Sequence, residues 1–174
     1  MGLQLIFVVE TNKKCKSDWI YIKETIDCFF NIDPAQIKLS IVYLDGKGKY
    51  ATKKREIESL EAQYSSTSKE NRSQTILCLD CDDYDIKFED QEFLKTVKQY
   101  CVDNSMELIW FCKDIESVYI GKTVSDSEKK AEATKFKSKG MIKQVDVRKL
   151  SRDTYTINSS NIVKVLEKYL AKKM

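Results

Sequence analysis

Leu3-Gln4-Leu5-Ile6-Phe7-Val8-Val9-Glu10 and Thr75-Ile76-Leu77-Cys78-Leu79-Asp80-Cys81-Asp82-Asp83 are built alike: a short apolar run ended without a break by carboxylates. Runs of that length and β-forming composition read as strands buried on both faces, and such strands belong to parallel sheets covered by helices. Around them the period changes. Trp19, Ile22, Ile26 and Phe29 or Phe30 recur at helical spacing behind Ser17, a residue suited to cap a helix, until Asn31 and the break at Asp33-Pro34. Ile37 to Leu44 reads as a second strand closed by the turn signal Asp45-Gly46. A second helix carries the stripe Ile57, Leu60 and Tyr64, and the polar run 65–74 reads as a surface loop. Beyond the acids, a third helix packs through Phe93 or Leu94, Val97 and Cys101, and Met106 to Phe111 is a fourth strand. Residues 126–139 read as a basic helical stretch and 141–147 as a short strand. Ser159 or Ser160 is expected to cap a last helix that buries Ile162, Leu166 and Tyr169 or Leu170 and ends in Lys172-Lys173.

Strand and helix thus alternate four times, which predicts one α/β domain over residues 1–174, Rossmann-like, with a mainly parallel central sheet flanked by helices. In such sheets ligands bind beyond the carboxyl ends of the strands, where Glu10, Asp45 and Asp80 fall. The first and third strands are expected to be neighbours, as in the flavodoxin-like order.

Composition narrows the chemistry. With no histidine among 174 residues, serine or cysteine catalysis through an imidazole is excluded, and carboxylates and lysines remain. The six cysteines are irregularly spaced, which suits free thiols in a reducing cytoplasm; the lone Cys78-x-x-Cys81 has no second pair to complete a zinc site. No apolar run approaches the roughly 20 residues that span a bilayer, and the amino-terminal run lacks the flanks of a signal peptide, so a cytoplasmic protein without membrane association is expected. Net charge is only +3, but it is unevenly placed: residues 46–55 hold five basic side chains and no acid, residues 80–92 seven acids and one lysine. Gly46-Lys47-Gly48-Lys49 lacks the spacing of a phosphate-binding P-loop.

Two carboxylates about 4 Å apart repel by roughly 4 kcal/mol at an effective dielectric of 20, so Glu10, Asp80 and Asp82, with Asp83 beside them, call for a compensating cation. Oxygen ligands without imidazole favour Mg²⁺ or Mn²⁺. Lys13, Lys14, Lys47, Lys49, Lys53, Lys54 and Arg55 would fall on the same side of the sheet and could track a nucleic-acid backbone. Lys113, Asp114 and Glu116, after the fourth strand, are candidates for the rim, or simply a strand end with a helix cap.

An apolar strand ending in Glu, then one ending in Asp-x-Asp some seventy residues later, resembles the Toprim domain. Phe7-Val8-Val9-Glu10-Thr11-Asn12, the run from Ile76 to Asp85 and the run from Glu107 to Glu116 look more closely like the signatures of small RloB-like and OLD-type Toprim proteins. The resemblance covers about 3–121 and leaves 122–174 as a C-terminal helical extension. It implies Mg²⁺-dependent phosphodiester cleavage of DNA or RNA in a defence system, with an ATPase as a possible partner. Glu10 would be base or metal ligand, and Asp80 and Asp82 would hold the metal. Thr11 stands where Toprim proteins usually have glycine, which leaves a non-catalytic module binding nucleic acid, nucleotide or a protein as the alternative. A haloacid-dehalogenase phosphatase is disfavoured, because its Asp-x-Asp follows the first strand.

Overall fold

The computed structural model describes residues 2–173. Its centre is a five-stranded sheet in the order β3-β1-β4-β5-β6, formed by β1 (Leu3–Val9), β3 (Ile37–Tyr43), β4 (Arg72–Asp80), β5 (Glu107–Cys112) and β6 (Ser159–Ser160). The first four are parallel and β6 is antiparallel. β1 lies between β3 and β4, so the first and third sequence-predicted strands are neighbours. Side chains from Gln4 to Val9 are all buried, as a central strand covered on both faces requires. Each fully buried aliphatic or aromatic side chain contributes about 1.5–3 kcal/mol. Gln4 is the polar exception, and it is satisfied: it donates to Ser40 Oγ at 2.8 Å on β3 and accepts from Ser73 Oγ at 2.8 Å on β4. That bridge favours one register across three strands.

Helices cover both faces. α2 (Lys54–Thr67) and α3 (Phe88–Asp103) bring Ile57, Val97 and Cys101 onto Ile6, Val8, Leu77 and Leu79. On the opposite face α1 (Ser17–Phe29), α4 (Ile115–Ile120), α5 (Lys129–Ser138) and α6 (Ile162–Leu166) pack on Leu5, Phe7, Ile76, Ile109 and Phe111. The segment after residue 121 completes this core: Ala133, Phe136, Ile142, Leu150, Ile162 and Leu166 are buried in it. Among the described residues no helix is long and apolar enough to cross a membrane, and all six cysteines are free thiols.

The structure corrects several local expectations. Ser17 is the first helical residue of α1 rather than its cap; Lys16 holds the cap position in the left-handed region, with φ of 57°, and makes no side-chain cap bond. Phe30 and Asn31 leave the helix as β2, pairing antiparallel with β7 (Ala171–Lys172). The expected loop at 65–74 shrinks to a few residues. Ser65, Ser66 and Thr67 return their hydroxyls to carbonyls three residues back, while Asn71 donates to Tyr64 O and Thr67 Oγ1 at the helix end. The expected strand at 141–147 is instead a 3-10 segment, Met141–Gln144. Met141, Ile142 and Val145 meet the core while Val147 is exposed, which is not the alternation of a strand.

The last helix is short, starts at Ile162 and follows a strand; Ser159 and Ser160 pair with Cys112 and Phe111. Asn161, between them, extends that edge with its side chain. Its Oδ1 accepts from Trp110 N at 3.0 Å and its Nδ2 donates to Leu108 O at 2.8 Å.

Candidate functional site

The chain order places a crevice between β1 and β4. From β1 it crosses to β3 on one side, then returns past β1 to β4 on the other, and parallel sheets open to ligands at such a reversal. Glu10 leaves β1 and Asp80 ends β4 there, and Asp80 N donates to Glu10 Oε2 at 3.3 Å. The turn after β3 closes one side. Leu44 N and Gly46 N donate to the carbonyls of Val9 and Glu10 at 2.9 and 3.1 Å, and Gly46 has φ of 121°, a conformation suited to glycine. A cavity of about 330 Å³ results, lined by Glu10, Thr11, Asn12, Asp45, Asp126 and Lys129 among others.

Behind Glu10 and Asp80 lie two further buried carboxylates. Asp18, in the first turn of α1, accepts from Thr11 N at 3.0 Å. Glu116, on α4, is fully buried, and neither carboxylate oxygen has a hydrogen-bond partner; Thr11 Oγ1 and Tyr21 Oη are also unpartnered. Leaving such groups unsatisfied is costly, which sets this cluster apart from ordinary core.

The electrostatics follow from that geometry. Burial first, then the nearby charges of Asp18 and Asp82, pushes Glu10 up to about 7 against the opposing Asp80 N–H and Lys47. Asp80 is raised well above the carboxylate range by burial, then by Glu10, Asp18 and Glu116. Burial raises Glu116 to about 7, with Lys129 opposing. For Lys129 burial alone would lower the ammonium, but the field of Glu116, Asp80, Asp18 and Asp126 reverses this and raises it. Lys129 is thus the cation that α5 brings to the inner acids.

The outer acids are differently placed. Asp82, at φ of 49°, pairs with Lys47, which also reaches Asp90 at 3.3 Å and sits 4.8 Å from the centre of the Phe93 ring. Asp83 pairs with Lys87 at 2.7 Å and Lys113 at 3.1 Å; those hydrogen bonds, Lys87 first, hold its carboxyl below the usual range. The expected four-carboxylate cage of Glu10, Asp80, Asp82 and Asp83 is therefore not assembled. Among the described residues no group of three or more Asp, Glu, Cys or His is gathered for a metal.

Glu10 and Asp80 do come together. Two carboxylates with waters and a phosphate suffice for Mg²⁺, and the donor set is entirely oxygen, so the inner pair fits a hard divalent cation in chemistry.

The other expected site residues divide. Lys113 is engaged by Asp83 and comes within 4.0 Å of Asp85. Asp114 is the helix cap of α4, accepting from Ser117 N at 2.7 Å and Thr123 Oγ1 at 3.1 Å. Glu116 is buried rather than at a rim. Lys47 faces acids, Lys49 pairs with Asp45 at 3.6 Å and Lys53 with Glu56 at 3.0 Å. Lys54 lines a separate groove with Glu58, Ser73 and Ser105. Lys13, Lys14 and Arg55 are exposed, with no ion pair among the described residues. The basic residues thus do not form one continuous track.

Asp18 and Lys129 were not predicted from sequence. Asp18 stands unremarked there beside the expected cap Ser17, and Lys129 is one of several lysines on a helix that looks solvated. The chain matches no protein-family model, no curated protein and no solved structure.

Proposed function

We propose that this protein is a metal-dependent phosphodiesterase acting on nucleic acid, Toprim-like in kind, with Glu10 and Asp80 at its centre. The observation that carries the reading is the Glu10 carboxylate reaching Asp80 N at the crevice where the strand order reverses, with both carboxyls raised in pKa and the charge of Glu10 among the causes for Asp80. Perturbed carboxyls in a cleft are a mark of function, because a fold rarely retains unbalanced buried charge without use for it.

Glu10 and Asp80 would hold Mg²⁺ or Mn²⁺, which supplies polarisation of a phosphate oxygen and a more acidic bound water. The chain's own residues account for the rest. The Ile115 N–H, donating to Asp80 Oδ1 at 3.0 Å, fixes that carboxylate's orientation. Lys129 offers a positive charge to an incoming phosphate from the cavity wall.

The test pairs binding with turnover. Mn²⁺ titrated into metal-free protein should bind at a site lost in Asp80→Ala, and Mg²⁺ or Mn²⁺ should support cleavage of single- or double-stranded DNA or RNA that the same variant lacks. A second reading, a non-catalytic binding module, is favoured by the lysine pairing of Asp82 and Asp83. Cation binding without cleavage of any of these substrates would select it, and absence of cation binding would sink the metal site itself.

A further inference from the structure

α3 presents Gln91, Leu94, Lys95 and Lys98 on one face by helical spacing. Facing them are Tyr84, on the loop after β4, and Tyr155, on the loop before β6; together they line a cavity of about 390 Å³. Its walls are fixed. Tyr84 Oη donates to Tyr155 O at 3.0 Å, the two rings lie 5.3 Å apart, and Tyr155 stands edge-on to Trp110 at 4.8 Å. Leu94, Trp110, Cys81 and Cys112 form the buried backing. Neither aromatic wall needs ordering when a ligand enters, which removes one cost of binding.

The rim carries the opposite chemistry. Lys98 has no ion-pair partner among the described residues, and Lys95 is tied only to Glu92, on the exposed side of the helix. Asp85, the one acid in the lining, stands within 4.0 Å of Lys113. Gln91 offers an amide that both donates and accepts. A flat apolar group with a hydrogen-bonding edge, attached to an anion, would use all of these features; a purely apolar side chain would leave both lysines and the amide idle. Tyr84 lies four residues beyond Asp80, on the loop tied to Lys113, so one short loop joins the crevice to this cavity.

We propose that this cavity is a nucleobase subsite, taking one unpaired base of a single-stranded nucleic acid whose phosphates pass Lys95 and Lys98. The proposal rests on the phosphodiester reading of the crevice and deepens it, since a base stacked in a duplex could not enter. Base-aromatic stacking tolerates every base, so recognition here is of an exposed base rather than of a sequence.

The experiment measures binding of fluorescently labelled oligonucleotides to the full chain with the metal removed by EDTA. Three ligands are compared: a single strand, its duplex and a strand of the same length with abasic positions. The single strand should bind tightest, roughly tenfold or more above the abasic strand, in keeping with measured base-aromatic stacking. Tyr155→Leu should erase that difference. Lys98→Glu, a change on an exposed helix face, should weaken single strand and abasic strand alike. Equal affinity for intact and abasic strands, preference for the duplex, or a Lys98→Glu protein that binds as the parent does would each overturn the subsite. If Tyr155→Leu also lowers the melting temperature, the abasic comparison on the parent protein and Lys98→Glu still decide. Intact base binding in a protein that cleaves nothing with Mg²⁺ would keep the subsite and discard the catalytic reading; cleavage without base discrimination would do the reverse.

Discussion

Asp80 and Asp83 stand three positions apart, yet the first carboxyl is held above the ordinary carboxylate range and the second below it. Asp80 ends a buried strand, with Glu10, Asp18 and Glu116 around it. Asp83 lies on the following loop, where Lys87 and Lys113 reach it. The inner acids pay for burial without enough counter-charge, whereas the outer ones are balanced by the chain itself. The single acidic run from Asp80 to Asp83 therefore holds two electrostatic situations. What separates them is which neighbours the fold supplies.

The largest expected effect falls on the inner acids. Glu10→Gln keeps the shape and can still accept from Asp80 N, but loses the charge; if Glu10 is base or ligand, cleavage should fall by orders of magnitude while the melting temperature holds or rises. A variant that cleaves like the parent would remove Glu10 from the chemistry and leave the inner cluster a structural oddity.

Glu116 should show the next largest effect, read as stability against pH. Its pKa is raised in the fold from 4.5 to about 7, so the folded protein binds this proton more tightly than the unfolded chain does. That contribution is fully present below about pH 4.5 and is lost as pH rises through 7, a loss on the order of 3 kcal/mol. Glu10 acts in the same direction. Denaturant melts of the parent and Glu116→Gln between pH 5 and 8 should therefore diverge, the parent losing more. Parallel curves would mean that the buried carboxyl is balanced after all.

The smallest effect belongs to the outer acids. Lys113→Ala removes one of two partners of Asp83 on an exposed surface, where ion pairs contribute little. The melting temperature should not move measurably, and the Asp83 carboxyl, followed by NMR titration, should shift upward toward its ordinary range. A clear loss of stability would show that inner and outer acids are energetically one network.

This contrast explains what could be read from the chain alone. The four parallel strands and the neighbouring of β1 and β4 were legible, because each strand is an apolar run and strand-helix alternation leaves few topologies. Glu10 and Asp80 were legible as strand-end carboxylates for the same reason. Asp18 and Lys129 were not, since nothing local distinguishes an acid in a helix's first turn, or one lysine among many, from solvated surface. Lys87, a partner of Asp83, is local, but Lys47 and Lys113, which pair with Asp82 and Asp83, come from segments well apart in sequence, and only the fold brings them in. β6 and β7 were missed because two-residue strands such as Ser159–Ser160 carry no period; their pairing partners create them.

The side chain of Asn161, which completes the open edge of β5, also has a bearing on how this protein ages. Its amide needs both halves: the oxygen for Trp110 N and the nitrogen for Leu108 O. Hydrolysis of that amide to a carboxylate would replace the donor with a second acceptor, turning an attraction at Leu108 O into repulsion and freeing a stretch of strand edge. Unpaired edges recruit other strands. A single deamidation here, one added negative charge and a slight change in mass, would convert a guarded sheet edge into a template for self-association.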